Sequence, residues 1–230
     1  MSGSVKGICG AVAALALVAT AARPAVAGDY SGDFMVRAGV SVVIPDAGAD
    51  VFNAGVLQAG WDADVSTEVI PSLTLTYFFN KNIAAELFCC FAKMEAEGKG
   101  LTPVADLGDF WIFPPAVTLQ YHFDSMGGFK PYVGAGIQYI HFFGEGNSGI
   151  GGAKIKLDDA VGFTLQAGVD IELGQGWYLN ADIKKTWIDT DAQWVGTGIT
   201  ADVDVDPLIV TAAIGYRFNL FGPRTGAPLK

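Results

Sequence analysis

The stretch FTLQAGVDIEL, residues 163–173, alternates between apolar side chains and polar or small ones. Its odd-numbered positions hold Phe, Leu, Ala, Val, Ile and Leu, and its even-numbered positions hold Thr, Gln, Gly, Asp and Glu. Successive side chains of a β-strand point to opposite faces. This period of two therefore predicts a strand with one apolar face and one polar face.

Seven further segments show the same alternation. They lie at about 34–44, 72–79, 83–94, 115–123, 131–143, 177–188 and 208–218. Short turns are predicted at 80–82, 124–129 and 174–176, and long polar loops at about 45–70, 95–110, 144–158 and 189–203. Eight strands with short turns at one end and long loops at the other predict an all-β fold, an eight-stranded antiparallel transmembrane β-barrel of the outer-membrane type.

The composition agrees with this prediction. The chain is 51% hydrophobic and only 17% charged, with a mean hydropathy of +0.36. After residue 27 it has no run of about 20 apolar residues, which excludes transmembrane helices from that part of the chain. A formal net charge of −10 argues against a nucleic-acid partner, because phosphate contacts need clustered Lys and Arg.

The N-terminal segment predicts export. Residues 1–27 contain an early Lys6, an apolar stretch from Ile8 to Ala22 and the cleavage motif Ala25-Val26-Ala27, which together indicate a signal peptide. We therefore expect a signal peptide at 1–27, a barrel at 28–218 and a C-terminal tail at 219–230. The expected location is the outer membrane of a Gram-negative cell.

The polar face of the strands decides between a membrane barrel and a soluble, lipocalin-like barrel. It carries sparse charges of both signs, which balance one another inside a lumen, whereas soluble surfaces are densely charged. The favoured interpretation is a membrane barrel whose outer face contacts lipid and whose lumen is filled by polar side chains. The predicted plug residues are Arg37, Glu86, Asp170, Asp182, Lys184 and Arg217.

Several motifs in chain order resemble the OmpW family, which includes the AlkL-type proteins. Among them are PSLTLTYFF (71–79), PPAVTLQYHF (114–123), KPYVGAG (130–136), QAGVD (166–170), WYLNAD (177–182) and IGYRF (214–218). The resemblance covers essentially the whole of residues 28–218. Phe218 is followed by twelve residues, whereas such barrels usually end at the final aromatic residue.

The resemblance implies a channel for passive uptake of small hydrophobic molecules. In this family a hydrophobic groove leads into the barrel and the path leaves sideways through the wall. The implied partners are outer-membrane lipid and lipopolysaccharide, small hydrophobic solutes and the barrel assembly machinery. A structural or adhesive barrel with a plugged lumen is the alternative.

The pair Pro114-Pro115 offers a physical reason for a sideways exit. Proline has no N–H to donate to a β-ladder, so two in a row predict a gap between the third and fourth strands. The alternative is that the fourth strand simply starts late. Unpaired backbone facing lipid is costly, so a gap is expected to be lined or filled.

Inward aromatic residues suggest the path itself. Phe78 and Phe88 lie on the face predicted to point into the lumen, and Trp111 and Phe113 sit just above it. With Pro114 and Pro115 they form the predicted substrate path. Lys184 stands where some relatives carry a large aromatic residue, and it is available to pair with Glu86 or with the neighbours of Asp182 in the plug.

An enzyme of outer-membrane lipids is a rival interpretation, but the sequence shows no convincing nucleophile and base. Parity points His122 inward, His141 towards lipid, and Ser125 to the face opposite His122. No catalytic residue, cofactor or metal is expected. Aspartates at alternate positions, such as Asp189 and Asp191, fit a solvated rim better than a cation site. The adjacent Cys89 and Cys90 point to opposite faces, which disfavours a disulfide.

Overall fold

The computed structural model describes residues 23–24, 31–99, 105–146 and 152–219, and all its regular elements are β-strands. Eight strands form the barrel wall. They are β2 (Asp33–Ile44), β6 (Glu68–Phe78), β7 (Ile83–Cys90), β10 (Ala116–His122), β11 (Phe129–Phe143), β13 (Ala160–Gly174), β14 (Trp177–Trp187) and β17 (Leu208–Asn219). All eight predicted segments coincide with these strands, apart from shifts at their ends.

The wall is closed and antiparallel. Its strands run in the order β2-β6-β7-β10-β11-β13-β14-β17, and β17 pairs back onto β2. In that closing pair Phe34 lies opposite Phe218 and Ile44 opposite Leu208. Closure gives every wall strand a partner on both sides, as the hydrocarbon core of a membrane requires.

The side chains divide between the two faces as the alternation predicts. Large apolar residues such as Leu119, Ile137 and Phe163 are half exposed on the outside, while Thr76, Gln120 and Gln166 are buried inside. An apolar exterior around a polar interior is the arrangement of an outer-membrane barrel, so the soluble alternative is wrong. No helix among the described residues is long and apolar enough to cross a membrane.

The predicted long loops are instead largely β-structure. At the end of the barrel opposite the short turns, here called the extended end, the strands continue as small sheets. These strands are β3 (Gly48–Asn53), β4 (Val56–Leu57), β5 (Asp62–Val65), β8 (Ala92–Lys99), β9 (Ala105–Phe113), β12 (Ile155–Leu157), β15 (Asp189–Trp194) and β16 (Ile199–Asp204). A two-residue strand, β1 (Arg23–Pro24), pairs with the end of β17.

The loop prediction was wrong because acidic residues occupy the outer positions of these strands. In β15 the exposed positions include Asp189 and Asp191, while Thr190, Ala192 and Trp194 are buried beneath them. The buried face extends the barrel core, and the outer face is polar enough to resemble a loop. The domain bounds at 1–27 and 219–230 lie almost entirely outside the described residues and stay predictions.

One glycine in the wall makes a testable contribution to folding. A Cβ at Gly136 in β11 would collide with the backbone of β10 at Val117 and Thr118. Backbone cannot step aside as a flexible side chain can, so we expect Gly136→Ala to lose most of the folded barrel. The measurement is the fraction of protein whose gel mobility changes on boiling, since a folded barrel resists unfolding by detergent in the cold.

Gly48 is the matched control, because a Cβ there meets nothing within 4 Å and its backbone is not in the left-handed region. Gly48→Ala should show the same heat-dependent shift as the parent chain. If Gly136→Ala and Gly48→Ala fold to the same extent, β10 and β11 are not in close contact at Gly136.

Candidate transport site: an apolar pocket above a charged plug

Arg37 stands at the centre of the polar interior. Its Nε and Nη2 donate to the two carboxylate oxygens of Asp170 at 3.0 and 2.6 Å, and its Nη1 donates to Glu86 at 3.1 Å and to Thr76 at 2.6 Å. The guanidinium, Glu86 and Asp170 are all at most 2% exposed. This bidentate, fully buried pairing ties β2 to β13 and β7 across the lumen.

Lys184 extends the same network towards the extended end. Its ammonium donates to Glu86 at 3.1 Å and to Asp182, and it lies 4.9 Å from the ring centroid of Phe88. Gln166 donates to Glu86 and to Asp182 at 2.9 and 2.8 Å. The pairing of Lys184 with Glu86 is as the sequence suggested, and these side chains cross-link the lumen from wall to wall.

Five of the six predicted plug residues are therefore brought together, and all six are buried. Arg217 lies nearest the short turns, with its Nε 3.4 Å from a carboxylate oxygen of Asp33. Beside it, Met35, Phe78, Ala84 and Tyr178 form a small apolar cluster. We refer to the network of Arg37, Glu86, Asp170, Asp182 and Lys184 as the charged plug.

An apolar pocket occupies the barrel on the other side of the charged plug. The free space between the side chains in it is about 60 Å³. Its walls come from the barrel and from the extension strands, and they include Val43, Ala63, Met94, Phe110, Ile112, Pro114, Ile140, Phe142, Ile155, Ala192, Trp194 and Ile209. Walls that are apolar in this way suit a small hydrophobic molecule.

The β-ladder is interrupted beside the base of this pocket. The pairing of β7 with β10 ends at Phe88 opposite Ala116, and the pairing of β8 with β9 resumes at Ala92 opposite Ile112. The register is the same on both sides of this break. Three positions of the third strand therefore lie opposite three positions of the fourth strand without a ladder pair between them. Residues 89–91 oppose residues 113–115, and this is where the sequence predicted a gap at Pro114 and Pro115. The late-start alternative fails because β9 continues the fourth strand beyond the prolines.

The two prolines face different neighbours. The carbonyl of Pro115 accepts from the N–H of Tyr139 in β11. Successive residues of a regular strand point their backbone groups to opposite neighbours, so the backbone nitrogen of Pro114 is expected to point towards Cys90. The carbonyl of Pro114 accepts from the side-chain amide of Gln138 in β11 at 3.3 Å. The N–H that would close the ladder towards the third strand is thus the one missing at Pro114.

Aromatic rings cover the interruption on the outside. Phe91 and Phe113 stack there with their centroids 4.8 Å apart, and Phe91 is 56% exposed. Cys90 is buried behind them and Cys89 is half-buried, and both are free thiols. The break in the wall is therefore lined by apolar side chains, as a lipid-facing break requires.

The other predicted path residues separate into two groups. Phe88 is fully buried and lies between the pocket and the charged plug, and Pro114 lines the pocket. Phe78 is buried in the cluster near the short turns, on the far side of the charged plug. Trp111 is 42% exposed on the outer surface, where it stacks on Phe143, so it does not line the pocket.

Phe110 and Trp194 are two further residues in the wall of the pocket. Phe110 is 5% exposed and packs edge-on against Phe142. Trp194 falls in a segment predicted to be a loop, so sequence reasoning missed it. Alternation of Thr190, Ala192 and Trp194 was the available signal.

The extended end carries most of its charge as exposed aspartates. Asp189 lies opposite Asp204, and Asp191 opposite Asp202. A hydrogen bond with Asp189 raises the pKa of the Asp204 carboxyl, as expected for two adjacent acids. Within the described residues no group of His, Cys, Asp and Glu is arranged to hold a metal ion.

The two histidines lie in unrelated surroundings. His122 is buried near the short turns and is 2.9 Å from Gln120, whereas His141 is half exposed on the outer surface beside Asp159. None of the hydrogen bonds found in the described part of the chain joins Ser125 to either imidazole.

Comparison with known proteins agrees with this architecture. The sequence model of the OmpW family matches residues 30–218. Outer membrane protein W of Vibrio cholerae is 33% identical over 92% of this chain and 98% of its own length. The dibenzothiophene metabolism operon protein PahQ of Pseudomonas aeruginosa is 30% identical over 79% of this chain and 87% of its own. The crystal structure of OprG from Pseudomonas aeruginosa superposes with a TM-score of 0.77 at 30% identity, covering 85% of this chain and all of that one.

Proposed function

The chain belongs to the OmpW family of outer-membrane β-barrels, and from this premise we propose that it is a passive uptake channel for small hydrophobic molecules. In this proposal a molecule enters the apolar pocket from the outside. It then leaves sideways through the interruption at Pro114 and Pro115, into the membrane. The lumen beyond the pocket is closed to it by the charged plug.

One observation carries the proposal, namely the position of the ladder break relative to the pocket and the plug. Pro114 belongs both to the pocket wall and to the break, and the buried ion pairs of Arg37 and Lys184 begin just beyond Phe88. An apolar molecule gains nothing by entering a network of buried charges. The ladder break beside the pocket is lined by apolar side chains, so leaving through it costs such a molecule less free energy than crossing the charged plug.

The name of one relative supports the substrate class. PahQ is described as a dibenzothiophene metabolism operon protein, and dibenzothiophene is a small apolar molecule. The acidic extended end and the aromatic residues at the barrel surface also suit a chain surrounded by lipopolysaccharide and lipid. Recognition of the chain by the barrel assembly machinery is part of the same proposal.

Filling the pocket should block uptake. Ala192 is 3% exposed and lines the pocket, so Ala192→Phe places a ring in the space intended for substrate. We expect uptake of a fluorescent polycyclic hydrocarbon by cells that lack other such channels to fall at least about fivefold, roughly 1 kcal/mol of binding free energy.

Ala181→Phe is the matched control, because Ala181 lies on the lipid-facing side of β14 and a ring there meets hydrocarbon. It should take up the probe like the parent chain, with both variants equally abundant and heat-modifiable. A structural or adhesive barrel predicts instead that neither variant, nor deletion of the protein, changes uptake.

A further inference from the structure

Gln138 connects the wall of the apolar pocket to the ladder break. It belongs to β11, lines the pocket and is 1% exposed. Its Nε2 donates to the carbonyl oxygen of Pro114 at 3.3 Å, and its Oε1 accepts from the hydroxyl of Thr186 at 2.6 Å. The side-chain amide therefore binds the backbone of a residue at which the ladder is interrupted.

A short hydrogen-bond chain fixes the orientation of the Gln138 amide. The hydroxyls of Thr164 and Thr186 are 2.8 Å apart, and both side chains are fully buried. Thr186 donates to the amide oxygen, which leaves the amide nitrogen for Pro114. A backbone carbonyl only accepts, so the amide atom that faces Pro114 must be this nitrogen. The chain runs from β13 through β14 to β11 without using a charged side chain.

A regular ladder would give the Pro114 carbonyl a different partner. The carbonyl of Pro115 accepts from β11, so regular geometry directs the carbonyls of Ala116 and Pro114 to the third strand. The position opposite Pro114 on that strand is Cys90, whose N–H is the donor that such a ladder would use. Gln138 instead reaches this carbonyl from the lumen, from the strand on the opposite side of Pro114.

Both backbone groups of Pro114 are thus withdrawn from the third strand. Its nitrogen carries no hydrogen, and its oxygen is bound by Gln138. The proline alone would remove only one of the two hydrogen bonds of this ladder pair, because a proline carbonyl still accepts. The side-chain amide removes the other, so proline and glutamine act on the same pair of residues.

We propose that Gln138 is a positioning residue of the sideways exit, which holds the Pro114 carbonyl towards the lumen and so keeps the ladder open between the third and fourth strands. This inference rests on the proposed uptake function and names what holds its exit open. Gln138 acts through Pro114 and needs no contact with the transported molecule.

The test replaces Gln138 by methionine, which keeps the length of the side chain and removes the donor. In Gln138→Met the freed carbonyl accepts from Cys90, so the amide proton resonance of Cys90 should move downfield in NMR spectra of the full-length protein in lipid bilayers. Uptake of an apolar probe by cells should fall about 2- to 10-fold, which corresponds to one hydrogen bond.

Thr118→Val is the matched control for Gln138→Met. Thr118 is a buried, lumen-facing residue of the fourth strand, and its hydroxyl donates to Gln166 at 2.7 Å. The variant therefore loses one hydrogen bond inside the lumen without touching Pro114. Its Cys90 resonance and its uptake should match those of the parent chain.

A second measurement uses the parent chain alone, so that it does not depend on how the variant folds. Dipolar recoupling in solid-state NMR should show the side-chain nitrogen of Gln138 next to the carbonyl carbon of Pro114. Absence of this coupling would overturn the proposal, and so would an unmoved Cys90 resonance or unchanged uptake in folded Gln138→Met. If the parent gives no more uptake than cells lacking the protein, the uptake function fails, while the Cys90 resonance still decides whether Gln138 holds the break open.

Discussion

Replacing Pro114 by alanine should cut uptake of an apolar probe by about tenfold or more. The variant gains an N–H that regular strand geometry would point towards Cys90, so the ladder between the third and fourth strands can close across the break. A closed ladder leaves the pocket without a sideways exit. Initial uptake rates in whole cells, normalised to the amount of folded barrel, measure the effect.

Pro115→Ala is the matched control for this result. The carbonyl of Pro115 already accepts from Tyr139, so a new N–H at this position strengthens pairing with β11 and leaves the break towards β7 unchanged. Near-normal uptake by Pro115→Ala beside a strong loss in Pro114→Ala is the expected pair of results. Equal uptake by the two variants would mean that the break is not the exit.

Arg37→Ala should be the most destabilising single change in the plug, by about 3–5 kcal/mol, because it leaves buried charges without their partner. Asp170 would lose two hydrogen bonds and Glu86 one, all inside the lumen. The measurement is urea unfolding in lipid vesicles, followed by tryptophan fluorescence, with the free energy of unfolding compared between parent and variant.

Lys81→Ala is the control for Arg37→Ala. Lys81 pairs with Asp124 at 3.0 Å, but the two side chains are 57% and 76% exposed. Exposed ion pairs contribute about 0–1 kcal/mol, so this variant should unfold almost like the parent. A comparably small effect of Arg37→Ala would show that the plug is hydrated or rearranged rather than tightly paired.

Strand alternation allowed the barrel to be predicted because lipid and lumen differ so strongly in polarity. A residue such as Leu165 meets hydrocarbon, while its neighbour Gln166 meets buried charges. The period of two therefore identified the strands, their faces and the members of the plug. The proline pair located the break, since the missing N–H groups are a property of the residues themselves.

Depth along the barrel axis could not be predicted in the same way. Phe78 and Phe88 share a parity, yet one lies near the short turns and the other beside the pocket. Only the strand register, which depends on long-range pairing, separates them. The run Phe110-Trp111-Ile112-Phe113 is apolar on both faces, so alternation gave no sign of which residues point outward. Trp194 was missed because the acidic residues at alternate positions of its segment resembled a loop.

The most direct test of the route is photolabelling of the protein in vesicles with a diazirine-bearing alkane added from outside. We expect adducts on pocket residues such as Ile112 and Phe142 and on the inner side of the break at Cys90. We expect none on Met35 or Tyr178, which lie beyond the charged plug. Adducts on Met35 or Tyr178 would contradict this route, because the molecule would then have crossed the lumen instead of leaving through the wall.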